Sequence, residues 1–62
     1  MNEYLIMNEY LFMNQDAVLG TANGNTSIDA FKNLRQNKIM EVKDEMIDWI
    51  EINSDFQGRI KI

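Results

Sequence analysis

The chain has 62 residues with neither cysteine nor histidine, which allows at most one domain and excludes disulfides, thiolate or imidazole metal sites and the usual nucleophile–base pairs. It is 45% hydrophobic, too greasy for a disordered chain, and its formal net charge of −4 argues against nonspecific nucleic-acid binding, which draws on phosphate contacts. No stretch approaches the ~20 apolar residues of a membrane span, and the opening lacks the basic region and small-residue cleavage site of a secretory signal, so a soluble cytoplasmic protein is expected.

The first element is doubled. In MNEYLIMNEYLFMN, residues 1–5 recur at 7–11, a period of six. An even period keeps equivalent residues on one face of a strand, whereas on a helix it scatters them. Tyr4, Ile6, Tyr10 and Phe12 then share one face, and Leu5, Met7, Leu11 and Met13 share the other. A strand apolar on both sides needs cover on both sides, and so short a chain supplies about two layers. A second copy is the natural cover, with Tyr4, Ile6, Tyr10 and Phe12 as the expected self-association face. A tandem duplication that left residues 1–6 as a dispensable extension is the competing explanation.

Next comes NQDAVLGTANGNTSIDAF. Asn23-Gly24 is a strong turn signal, and two structures compete around it. One is a hairpin of residues 17–22 and 25–30. The other is a helix capped by Thr26, with Asp29 three residues on. The helix is preferred, because Ile28, Phe31 and Leu34 then form an apolar stripe while Lys32, Arg35 and Lys38 face water.

Residues 39–45 read either as helix or as strand. Beyond them the alternation is cleaner, and a hairpin of residues 47–53 and 59–62 about the loop 54–58 is expected. In that register Ile52 falls opposite Ile60, Ile50 opposite Ile62 and Glu51 opposite Lys61, three cross-strand pairs each worth roughly 0.2–1 kcal/mol. The fold expected is α+β: a small antiparallel sheet, made of the N-terminal strand and the C-terminal hairpin, packed on one short helix and completed by homo-oligomerisation.

Little of this suggests catalysis. Ser27 and Ser54 sit where caps and turns want them, and no G-x-S-x-G surrounds either. Carboxylate pairs can run hydrolysis, yet a chain of this size scarcely encloses a pocket of ~300 Å³ beside a core. NGNTSID lacks the alternating acids and terminal Glu of a calcium loop. No enzyme activity, metal or cofactor is expected.

The acidic run stands out. Glu41, Asp44, Glu45, Asp48, Glu51 and Asp55 face only Lys43 over residues 41–55. Such a run serves solubility, or it recognises a basic surface and speeds encounter with it. The expected function is a small non-enzymatic, homo-oligomeric interaction protein that binds and inhibits or modulates a larger protein, a style that suits a phage or mobile element. Glu41, Asp44, Asp48, Glu51 and Asp55 are the partner-binding candidates. The alternative is a small-ligand binder with a pocket between subunits, in which Lys32, Arg35 and Lys38 hold an anion. A dimeric nucleic-acid-binding regulator using the same basic trio ranks below both.

Overall fold

The computed structural model describes residues 8–37 and 45–61. Within them the chain runs β1 (Asn8–Asn14), β2 (Ala17–Gly24), α1 (Ser27–Asn37), β3 (Met46–Glu51) and β4 (Gln57–Lys61). The strands form a single antiparallel sheet in the order β2-β1-β3-β4, with α1 packed against β2 and β1. Both β2 and β3 run antiparallel to β1, so they are parallel to each other, and the helix makes the long crossover such a pair requires. This is a small α+β fold. Tyr4, Ile6, Lys38, Glu41, Asp44, Ile62 and all but Glu45 of the undecided segment 39–45 lie outside the described residues.

Alternation along β1 follows the sequence. Tyr10 and Phe12 are buried beneath the helix, and Leu11 and Met13 point the other way, half-buried. The core joins these two aromatics to Leu19, Ala30, Phe31, Leu34 and Ile47. The Phe12 and Phe31 rings lie 5.2 Å apart, and Tyr10 meets Trp49 edge-on at 5.4 Å, within the range where aromatic pairs add to simple area burial. Asn14, buried at the end of the same face, is held by donating its amide Nδ2 to the Met46 carbonyl oxygen at 3.1 Å.

The second strand is absent from the preferred sequence reading; only the competing hairpin with residues 25–30 makes residues 17–22 a strand. Its turn is Gln15-Asp16, with Gln15 at φ 56°, a left-handed conformation that glutamine rarely adopts. The β1–β2 register then slips between Phe12 and Met13: Met13 pairs with Val18 but Phe12 with Gly20. Leu19 is the extra residue of this bulge, and the local bend keeps it on the buried face.

Asn23-Gly24 closes β2 rather than turning a hairpin. The helix that follows is capped as expected, since Thr26 Oγ1 accepts a hydrogen bond from the Asp29 backbone N–H at 3.1 Å. Its buried stripe is rotated from the expected one. Phe31 and Leu34 are in the core, but Ile28 is 53% exposed and Ala30 is fully buried instead. A small residue is needed there because the helix backbone lies almost on Gly24.

The C-terminal hairpin forms, in a different register from the one expected. Ile60 faces Ile47, not Ile52, five residues away, and Lys61 faces Met46, not Glu51. An odd shift exchanges the faces of one strand relative to the other. The reason is the core: Ile47, with no exposed surface, must share a face with Phe12, and a tighter turn allows it. Glu51 donates its N–H to the Phe56 carbonyl and Ser54 Oγ accepts from the Phe56 N–H, while Asn53 takes φ 68°. Ile50 consequently lies on the face away from the helix.

Candidate interaction surfaces

Three surfaces carry the residues singled out by the sequence. The first is the open face of the sheet. Strand alternation and register place Leu11, Met13, Met46 and Ile50 there, with Val18 beside them at 64% exposure. Glu9 lies at one end of the face, at the start of inner strand β1 and next to Asn23 on β2. Lys61 lies at the other end, on edge strand β4 across from Met46. Between them Arg59 Nε donates to Asp48 Oδ1 at 2.7 Å, a directly opposed cross-strand pair. Around that pair Met13, Asp48, Ile50, Gln57 and Arg59 line a shallow depression of about 410 Å³.

The second surface is the β3–β4 turn. Phe56 projects from it with 69% of its surface exposed, between Asp55 and Gln57 and opposite Glu51. The backbone beneath it is fixed by the three contacts of the turn: Ser54 N–H to the Glu51 carbonyl at 3.3 Å, Glu51 N–H to the Phe56 carbonyl at 2.9 Å, and Phe56 N–H to Ser54 Oγ at 3.1 Å. A hydrogen-bonded turn that holds an exposed ring, with two acidic residues in the same turn, is a chemically distinct feature. Sequence reasoning passed over Phe56. The available signal was its isolation, an aromatic flanked by polar residues with no apolar neighbour to continue a strand pattern.

The third is the helix. Lys32 and Arg35 are exposed, three residues apart. Arg35 lies over the Phe31 ring at 5.8 Å, which ties its guanidinium to the core edge. Lys32 borders a cleft of about 280 Å³ together with Asn25, Asp29, Asn33 and Gln36, so a carboxylate shares the space with the ammonium group.

The structure therefore separates residues that the sequence grouped. Asp48 is on the open face and paired to Arg59, Glu51 belongs to the helix side of β3, and Asp55 is in the turn. Among the described acids, Glu51 and Asp55 are the two that belong to the Phe56 turn. Of the expected self-association residues, Tyr10 and Phe12 are enclosed by the chain's own helix and β3, with 5% and 0% exposure. The apolar β1 residues on the open face are Leu11 and Met13.

No three acidic side chains gather among the described residues in the way a metal site requires, and no helix there is long and apolar enough to cross a membrane. Comparison of the chain with protein-family models, curated proteins and solved structures finds no match in any of the three.

Proposed function

We propose that this chain is a small non-enzymatic interaction protein, working as a homo-oligomer, that docks on a basic surface of a larger protein and inhibits or modulates it. The observation that carries the proposal is the exposed Phe56, next to Asp55 in the chain and opposite Glu51 across the hairpin. Binding energy concentrates in a few residues, aromatics prominent among them, that enter a pocket and are ringed by polar groups excluding water. Here the ring is held out by a fixed turn, so little order has to be gained on docking. The carboxylates add steering toward positive charge, which raises the rate of encounter.

The test is affinity capture from the native host with the full chain, followed by measurement of the captured complex. Phe56→Ala is expected to weaken binding by about 2 kcal/mol, roughly thirtyfold. Asp55→Lys is expected to slow association and flatten its salt dependence. Both positions are exposed, so the circular dichroism of the free chain should not change. Capture that survives both substitutions refutes the turn as the docking site.

A second reading, a small-ligand binder with its pocket between subunits, draws support from the depression of about 410 Å³ on the open face, which a covering molecule would enclose. In that reading Arg59 at the depression, rather than the helix cations, is the nearest group for an anion. Arg59→Ala separates the two, since it should abolish ligand uptake and leave capture through Phe56 intact.

A further inference from the structure

We infer that a second copy of this chain covers the open face of the sheet across a two-fold axis, with Leu11, Met13 and Ile50 of each copy at the centre and Glu9 of each copy against Lys61 of the other. The inference rests on the oligomeric half of the function proposed above and assigns the surface; docking through Phe56 stands or falls separately.

The face is apolar along its middle. Leu11 pairs with Ile50 and Met13 with Asp48 in the β1–β3 ladder, and Val18 and Met46 extend the patch to either side. The helix lies on the other side of the sheet, so no described element of this chain packs over Leu11, Met13 and Ile50. Sheets pack face to face through such surfaces with their inner side chains interdigitated.

Charge selects the occupant. The chain carries −4 overall. Its open face carries two acids, Glu9 and Asp48, and two bases, Arg59 and Lys61, and is balanced. A partner of one charge sign gains nothing from such a face. A second copy does, because in a two-fold contact each residue of one copy meets its counterpart set on the other, so the patch must complement itself. Asp48 and Arg59 already satisfy each other at 2.7 Å. That leaves Glu9 and Lys61, both exposed and at opposite ends of the face, one at the start of inner strand β1 and the other at the end of edge strand β4. A two-fold axis crossing the face obliquely, near Met13, exchanges those two positions and makes the contact twice.

Sedimentation equilibrium on the full chain at micromolar concentration tests this, with circular dichroism confirming that each variant is folded. The wild type is expected to be dimeric. Glu9→Lys and Lys61→Glu should each weaken the dimer about tenfold or more, because each turns two attractions into two repulsions. The double variant, with the charges exchanged, should recover to within about threefold of wild type. Leu11→Lys, which puts a charge at the centre, should leave a monomer. A monomeric wild type overturns the inference and the oligomeric half of the proposed function together. A dimer indifferent to both single reversals, or a double variant as weak as either single, overturns the assigned surface alone.

Discussion

Gly24 and Gly58 perform the same service at two places: each lets another group lie on the backbone. A Cβ built on Gly24 would stand 2.5 Å from the Ala30 backbone nitrogen, and one on Gly58 would stand 2.8 Å from the Trp49 ring. The obstacle at Gly24 is helix backbone, which cannot step aside without moving α1. The obstacle at Gly58 is a side chain with some room to tilt, since Trp49 is only half-buried. Gly24→Ala should therefore destabilise by about 3 kcal/mol and Gly58→Ala by about 1–2, both within the range for overpacking and the rigid case at its upper end. Urea denaturation of both variants checks the order, and equal costs would remove the distinction. The same comparison explains why Asn23-Gly24 turns no hairpin. The dipeptide is a turn signal because glycine accepts positive φ, but here its glycine is required for closeness, which local pattern cannot display.

At the scale of elements, local signals survived and relative ones did not. Thr26 and Asp29 announced the helix start, and the start is there. Thr26→Ala is expected to cost about 1 kcal/mol, measurable as a lower urea midpoint with an unchanged slope. Asn33, which donates to the Asn23 carbonyl at 2.8 Å, ties the following helix turn to β2 and should limit fraying in that variant. The alternation that marked β1 was equally legible, because period two is a property of one strand. The hairpin register was not, since it depends on which strand residue wins the core. Ile52 with Ile60 satisfied every local preference, yet Ile47 fills the space beside Phe12 and takes Ile60 with it. Strand β2 was hidden for a related reason. Its turn uses glutamine where glycine or asparagine is customary, and its bulge interrupts the alternation at Leu19. The candidate site fared similarly: Glu51 and Asp55 were legible as acids, but the exposure of Phe56 beside them in the turn was not, because exposure of an aromatic is decided by the turn and not by the pattern.

For the molecule as a whole, the two faces of the sheet differ in kind. One is sealed by α1 through Phe12, Phe31 and Leu34; the other carries Leu11, Met13 and Ile50 into contact with water. A domain of this length buries only about 60% of the surface its unfolded chain exposes and has little stability to spare. A partner that binds only the folded state adds stability that grows with concentration. The thermal midpoint of the wild type should accordingly rise by several degrees between about 1 and 100 μM, and that of Leu11→Lys should not. A midpoint independent of concentration in both would mean that the isolated chain is the folding unit.

The strand order carries a consequence for how the chain is born. β1 is made before β3, yet it is the strand between β2 and β3, and its second neighbour lies more than thirty residues downstream. On the ribosome the β1–β2 hairpin can close early, through a two-residue turn, while the far side of β1 offers a bare row of amides and carbonyls until β3 emerges. During that interval a neighbouring nascent chain is as good a mate as the proper one. Crowded polysomes should therefore favour mispaired chains, and slowing initiation should raise the yield of soluble protein.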